Sequence, residues 1–208
     1  MGGEAQAPLR SFGLRSQTDL NIVGLLLAAG SASRFGSDKL RHPLPHGVPI
    51  AIQSLRTLKA ELGDVLAVVK PGDDGLFQSE TCKIVVCERA HEGMGASLAC
   101  AVRAAGKRAG YIVALADMPY IRRTSIAAVR QALESGAALV APYFRARRGH
   151  PVGISGQFYE QLIALGGDEG AKKILGEHAR ELVKIPIGDP GVVRDIDTPA
   201  DLTPPIRV

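Results

Sequence analysis

A loop with two glycines and two cations at fixed offsets is the part of the sequence best suited to chemistry. Gly30, Arg34, Gly36 and Lys39 form the pattern G-x-x-x-R-x-G-x-x-K directly after the apolar run 22–27. An apolar run that ends in small residues predicts a buried strand whose following loop exposes backbone N–H groups. Such groups bind phosphate oxygens while nearby cations neutralise them, so the loop predicts a site for a polyphosphate.

Two common phosphate-binding motifs do not fit this loop. A Walker loop requires G-x-x-x-x-G-K-[ST], and Phe35 occupies the position of its second glycine. The nearest match to a dinucleotide fingerprint, G-x-G-x-x-G, begins at Gly93 and Gly95, but Leu98 replaces its third glycine. The simpler alternative is a tight connection between a strand and a helix, and such a connection does not require two cations at fixed offsets.

Three carboxylates further along the chain are candidates for a metal site. Asp117 ends the apolar run 111–116 and is followed by Met-Pro, a place from which a carboxylate can hold Mg²⁺ against a triphosphate. Asp195 and Asp197 lie on one side of an extended segment because side chains alternate along it. The alternatives are an aspartate that begins a turn and an exposed acidic pair without a ligand.

Strand-like and helix-like runs alternate through the chain and predict the elements that position these residues. The predicted strands are 22–28, 65–69, 84–87, 111–116, 139–143, 152–154 and 182–187. The predicted helices are 49–62, 97–105, 124–135, 158–165 and 171–178, with a capped helix start at 198–201. This order predicts an α/β fold of three layers, with a mostly parallel sheet between helices. The strand 152–154 is expected to pair antiparallel with 139–143.

The topology brings the candidate residues to one edge of the sheet. Ligands of open parallel sheets bind at the carboxyl ends of the strands. The loops after Ala28, Cys87 and Ala116 all follow predicted strands. We therefore expect the glycine-containing loop, the G-M-G segment and Asp117 to meet at that edge.

Composition limits the class of protein. The 208 residues, 46% of them hydrophobic, suit one domain over 21–208, and the polar residues 1–20 are expected to be a disordered extension. The charge of +4 is mild and no basic run alternates with aromatics, so no nucleic-acid partner is predicted. Three cysteines without a C-x-x-C motif predict reduced thiols in the cytoplasm. No apolar run approaches the roughly 20 residues that cross a bilayer, so no membrane partner is predicted.

Six motifs in register resemble the nucleotidyltransferases of the molybdenum cofactor cytidylyltransferase type. They are L-A-A-G-x-S-x-R-F-G-x-x-K-L, G-M-G-x-S-L, A-D-M-P, G-H-P-V, G-D-x-G-A and D-I-D-T-P-x-D-L, between about residues 22 and 202. The resemblance implies a Rossmann-like fold and transfer of a nucleoside monophosphate from an NTP to a phosphate-bearing acceptor, with Mg²⁺ as cofactor and pyrophosphate as product.

The resemblance also implies a role for individual residues. The nucleotide-binding set is Leu27, Ala28, Ala29, Gly30, Ser31, Gly93 and Ser97, and the catalytic cations are Arg34 and Lys39. Asp117 and Asp197 are the implied metal ligands, with Asp195 as an alternative to Asp197, and His150 and Asp168 are implied on the acceptor side. Lys39 would stabilise charge at the α-phosphate and Arg34 would hold the departing pyrophosphate.

The sequence L-A-A-G at 27–30 favours CTP, since the guanylyltransferase branch more often carries L-A-G-G. The predicted reaction is then transfer of CMP to the phosphate of molybdopterin, with delivery of the product to a molybdenum hydroxylase or its chaperone. The alternatives are a guanylyltransferase, an NTP transferase for another small phosphorylated acceptor, a non-catalytic nucleotide-binding or cofactor-binding accessory protein for a molybdenum hydroxylase, and a dinucleotide-binding domain.

Arg145, Arg147 and Arg148 either contact an anionic acceptor or form a solvated basic loop.

Overall fold

The computed structural model describes residues 21–30, 35 and 38–203. The predicted extension 1–20 therefore lies outside the described residues. Ser31 and Arg34, two of the predicted phosphate-binding residues, lie outside them as well. Within the described part of the chain, no helix combines the length and the apolar composition that crossing a bilayer requires.

The described residues form one eight-stranded sheet with helices on both of its faces. The strands are β1 Ile22–Leu27, β2 Val65–Val69, β3 Lys83–Val86, β4 Gly110–Leu115, β5 Leu139–Phe144, β6 Arg147–Arg148, β7 Val152–Ser155 and β8 Leu182–Pro186. The helices are α1 Ile50–Lys59, α2 Met94–Ala105, α3 Arg123–Glu134, α4 Tyr159–Ile163 and α5 Ala171–Glu177, and several short 3₁₀ helices connect them.

The sheet is mixed and mostly parallel. Its strand order is β3-β2-β1-β4-β7-β5-β6, and β8 lies beside β5 on the other side. Strands β1 to β4 pair in parallel, whereas β7 pairs antiparallel with both β4 and β5. The predicted antiparallel pairing of 152–154 with β5 is confirmed, and so is the α/β class. Because β7 reverses direction between them, β4 and β5 end at the same edge of the sheet.

The strands are buried on both faces, as their continuous apolar sequences predict. Consecutive residues of β1 point to opposite layers: Leu26 belongs to the core beneath α1 and α3, and Leu25 to the core beneath α2, α4 and α5. Both leucines are fully buried. The two packed layers hold the carboxyl ends of the strands in place, and this fixes the edge at which ligands bind.

The main departures from the predicted elements lie at their ends. Helix α2 begins at Met94, three residues before the predicted start, because Gly93 provides the positive φ of +123° that turns the chain into the helix. The predicted helix 158–165 is a 3₁₀ turn followed by the shorter α4. The two-residue strand β6 has too little sequence for a periodic pattern and was not predicted.

A buried carboxylate that no sequence motif marks joins α3 to the segment that leads to Asp195. Asp189 is 2% exposed and its Oδ2 accepts hydrogen bonds from the backbone N–H of Arg122 at 2.8 Å and from Ser125 Oγ at 2.7 Å. Its Oδ1 accepts a bond from the backbone N–H of Gly191 at 2.9 Å. Asp189 thus caps the beginning of α3 and orders the turn that leads to Asp195 and the residues after it.

We expect Asp189→Ala to lower the free energy of unfolding by about 3 kcal/mol, because it leaves buried N–H and hydroxyl donors without acceptors. Urea denaturation measures this change. The control is Glu134→Ala at the end of the same helix, where a surface substitution should stay within about 0.5 kcal/mol of wild type. Equal effects from the two substitutions would contradict the assigned role of Asp189.

Candidate active site

A cavity of about 800 Å³ opens at the carboxyl ends of β1 and β4. Three of the predicted segments form its wall: residues 27–30 after β1, the beginning of α2, and Asp117 after β4. Backbone hydrogen bonds hold the first of these in place, since Ala28 N donates to Val68 O at 2.8 Å and Leu27 O accepts from Ala116 N at 3.0 Å. The expectation that these loops meet at one edge is therefore confirmed.

Phe35, which occupies the position of the second glycine of a Walker loop, has a structural function. Phe35 is 7% exposed and packs in a small apolar cluster with Leu44, Ile50 and Ile196. Its ring also meets the ring of His42 edge-on, at a centroid distance of 5.2 Å. The loop after β1 is thereby attached both to the beginning of α1 and to the segment that carries Asp195 and Asp197.

Lys39 bridges two of the predicted metal ligands. Its Nζ lies 2.9 Å from Asp117 Oδ2 and 3.3 Å from Asp197 Oδ1, and the residue is 8% exposed. Burial alone would lower the pKa of Lys39, but the hydrogen bonds and charges of the two carboxylates outweigh burial and raise this pKa above its usual value. Lys39 therefore stays protonated and adds a positive charge to the wall of the cavity.

All three predicted carboxylates come together. Asp117, Asp195 and Asp197 each offer an oxygen within 4.8 Å of the others. Ile196 causes this arrangement, because its side chain is fully buried and its backbone N–H donates to Asp117 O at 2.9 Å. Its two neighbours then point to the same side.

Three carboxylate oxygens at this spacing suit a hard divalent cation such as Mg²⁺, which binds oxygen ligands in an octahedral shell. The spacing accommodates either Asp195 or Asp197 as partner of Asp117, so the sequence alternative between them stays open. Lys39 already neutralises part of the same cluster through two of its members.

The beginning of α2 contributes Gly93, Met94 and Ser97 to the wall of the cavity. Gly95 N donates to Gly167 O at 2.7 Å, and Ser97 Oγ donates to Gly93 O at 3.3 Å. A Cβ on Gly93 would lie 2.1 Å from Asp168 Oδ1, so only glycine allows this approach. The positive end of the α2 dipole lies at the wall of the cavity and favours an anion there.

The two predicted acceptor-side residues lie in different places. Asp168 lines the main cavity beside Gly93, whereas His150 lines a neighbouring cavity of about 70 Å³. The pKa of His150 is lowered to about 4, chiefly by burial of its ring and also by the charge of Arg148. His150 is therefore neutral at pH 7, and its backbone N–H is held by Val192 O at 2.7 Å.

Several cavity residues were missed from the sequence. Lys70 and Pro71 follow β2, and Glu88 and His91 follow β3, and all four line the main cavity. Their position after the ends of strands was the available signal, but no motif marked them. They add one lysine to the cations that an anionic ligand would meet.

Comparison with known proteins places the chain among NTP transferases. Residues 24–182 match the family model described as a MobA-like NTP transferase domain. The purine catabolism protein PucB of Bacillus subtilis (strain 168) is 31% identical over 196 residues, which cover 86% of this chain and 93% of that protein.

Solved structures share the fold. Rv0371c of Mycobacterium tuberculosis H37Rv superimposes with a TM-score of 0.76 at 22% identity, covering 87% of this chain and 94% of that one. A second structure of Rv0371c, in complex with manganese, gives a TM-score of 0.70 at 18% identity, covering 87% and 95% of the two chains.

We expect Gly93→Ala to raise the KM for the nucleoside triphosphate at least about tenfold, because the Cβ displaces the beginning of α2 from residues 167–168 and misaligns its N–H groups. Steady-state kinetics measures this change. The matched control is Gly106→Ala at the other end of α2, where φ is +72° but a Cβ meets nothing within 4 Å. Both variants carry a similar backbone strain, so equal KM values would contradict a role for the close approach at Gly93.

His150 makes stability depend on pH. The pKa of His150 is about 4 in the folded chain and about 6.5 in the unfolded chain. Between pH 4 and pH 6.5 the unfolded chain is therefore protonated at His150, whereas the folded chain is not. Stability is therefore lost as the pH falls. When the pH falls from 6.5 to 4, we expect the free energy of unfolding of wild type to decrease by up to about 3 kcal/mol more than that of His150→Gln. Urea denaturation at each pH tests this, and superimposable profiles would contradict it.

Proposed function

Because the chain belongs to the MobA-like NTP transferase family, and is thus a nucleotidyltransferase, we propose that it transfers CMP from CTP to the phosphate of molybdopterin, with Mg²⁺ as cofactor and pyrophosphate as product. The observation that carries the proposal is the cluster of Lys39 with Asp117, Asp195 and Asp197, in which Lys39 and Asp117 line a cavity of nucleotide size. Cations and carboxylates together are what a metal-bound triphosphate requires.

The acceptor brings its own nucleophile, so the protein needs no catalytic serine, cysteine or histidine. A phosphate monoester has a second pKa of about 6 and is largely deprotonated at pH 7. Its oxygen attacks the α-phosphorus of CTP, the bond from that phosphorus to the bridging oxygen breaks, and pyrophosphate leaves. No general base is required, which agrees with the buried and neutral His150.

The residues of the chain supply alignment and charge. Lys39, held by two carboxylates, would turn its ammonium toward the α-phosphate. The N–H groups at the beginning of α2 would hold other phosphate oxygens, and Arg34 is assigned to the departing pyrophosphate. Asp117 with Asp195 and Asp197 would hold Mg²⁺, which when bound neutralises negative charge on the triphosphate.

Two findings support parts of this proposal. A structural relative has been crystallised in complex with manganese, which agrees with a divalent cation at the carboxylates. The name of the Bacillus subtilis relative connects that protein with purine catabolism, a setting compatible with delivery of a cofactor to a molybdenum hydroxylase. The choice of CTP depends on Ala29, which is 9% exposed and lines the cavity.

Pyrophosphate release tests the reaction. The purified chain is given each of CTP, GTP, ATP and UTP, with and without molybdopterin and with Mg²⁺. The proposal predicts release only with CTP and molybdopterin together. Release restricted to GTP would identify a guanylyltransferase, and nucleotide binding without any release would favour a non-catalytic accessory protein.

We expect Lys39→Ala and Asp117→Asn each to lower kcat by about two to three decades, because each removes one preorganised group from the charge cluster. The same pyrophosphate assay measures this loss. The control is Asp64→Asn, which removes an exposed carboxylate paired with Arg108 at the opposite, amino edge of the sheet. Turnover close to wild type in either site variant would contradict the assignment of the site.

A further inference from the structure

A second, smaller cavity lies beside the nucleotide cavity. The cavity of about 70 Å³ that contains His150 shares Leu27, Met94 and Leu115 with the main cavity. Its wall also carries Arg148 and Lys172, from β6 and α5. Two cations therefore lie close to the nucleotide cavity, across residues that line both cavities.

The strand β6 places Arg148 on the side of the sheet that faces this second cavity. Arg148 lies opposite Tyr143, and Arg147 lies opposite Phe144. Tyr143 packs against the core layer beneath α2, α4 and α5, whereas Phe144 packs against the layer on the other face. The two adjacent arginines thus point to opposite faces of the sheet.

A separate open groove lies at the carboxyl ends of β5 and β8. The groove has a volume of about 680 Å³ and is lined by Tyr143, Arg145 and Lys184, among others. The Nζ of Lys184 lies 5.6 Å from the centre of the Tyr143 ring, whereas the guanidinium of Arg145 lies 5.2 Å from the centre of the Phe144 ring. We call Arg148, Lys172 and Lys184 the basic track, because these cations line the second cavity and the groove on the Tyr143 face of the sheet.

The cations of the basic track are not neutralised by the described part of the chain. None of the three has a carboxylate oxygen within 4.0 Å among the described residues, whereas Arg56, Arg108 and Arg123 elsewhere on the surface each have one. Glu169 is the single acidic residue in the described wall of the second cavity. His150 Nδ1, buried in that wall, has no hydrogen-bond partner among the described residues.

We propose that the basic track, with Arg148 at its centre, binds the acceptor and selects acceptors that carry a second anionic group away from the phosphate that attacks. This inference rests on the proposed transfer to a phosphate-bearing acceptor. It assigns the contact to Arg148 on the cavity side of β6 and not to Arg147.

The position of the reaction explains why a second anionic group is needed. The attacking phosphate must lie at the α-phosphate, next to Lys39 and the three carboxylates. The cations of the basic track do not line the cavity that contains Lys39 and Asp117, so they act on another part of the acceptor. Charge-assisted hydrogen bonds from arginine to such a group give both affinity and orientation. The dithiolene of molybdopterin is an anionic group of this kind.

The experiment compares Arg148→Gln with Arg147→Gln, two neutral substitutions in adjacent exposed residues of one short strand. Pyrophosphate release is measured against acceptor concentration at saturating CTP, and against CTP concentration at saturating acceptor. We expect Arg148→Gln to raise the KM for the acceptor at least about tenfold, with the KM for CTP within about twofold of wild type. Arg147→Gln should match wild type in both, and Arg148→Lys should recover part of the loss.

The outcomes separate this inference from the proposed function. Absence of release by the wild-type chain with CTP and molybdopterin would refute the proposed function, and the comparison would then use whichever phosphate-bearing acceptor supports release. An acceptor KM for Arg148→Gln within about twofold of that for Arg147→Gln would overturn the inference while leaving the reaction intact. Wild-type inactivity with every acceptor would overturn both.

Discussion

The ammonium of Lys39, shared between Asp117 and Asp197, is the interaction on which the candidate site depends. Asp117 follows β4 and Asp197 follows the turn at 190–193, so residues far apart in sequence meet at one point. Two like charges 4 Å apart repel by about 1 kcal/mol in water and about 4 kcal/mol near a protein surface. A cluster of three carboxylates therefore needs a cation, and Lys39 supplies it without excluding a metal from the remaining oxygens.

Close approach between backbone segments is the second feature that determines the geometry of the candidate site. A Cβ on Gly149 would lie 2.2 Å from Val192 O, and one on Gly191 would lie 2.2 Å from Tyr120 O. Through these contacts the turn after Asp189 packs against the segment that follows β4 and the segment that precedes β7. The same turn leads to Ile196, whose burial aims the neighbouring carboxylates at Asp117. The geometry of the predicted metal ligands thus follows from packing of backbone outside the cavity.

Local patterns in the sequence were sufficient for the central part of the fold. The apolar strands β1, β2 and β4 and the amphipathic α1 and α3 each carry their own periodicity, and the carboxyl edge follows from topology. The sequence does not mark Asp189 as important, because the groups at the beginning of α3 that hydrogen-bond to its carboxylate lie more than sixty residues away along the chain. The pairing of Lys39 with the predicted metal ligands was equally hidden, since spacing along a chain does not reveal which charges meet. The predicted functions of Ser31 and Arg34 stay predictions.

The position of a bound metal would show whether the three carboxylates and Lys39 act as a metal and phosphate site. Crystals grown with Mn²⁺ and CTP would be examined by anomalous scattering at the manganese edge. We expect one strong peak among the carboxylates of Asp117, Asp195 and Asp197, with Lys39 turned toward the α-phosphate. A peak at other residues, or CTP bound with Lys39 still bridging Asp117 and Asp197 and no manganese beside them, would contradict it.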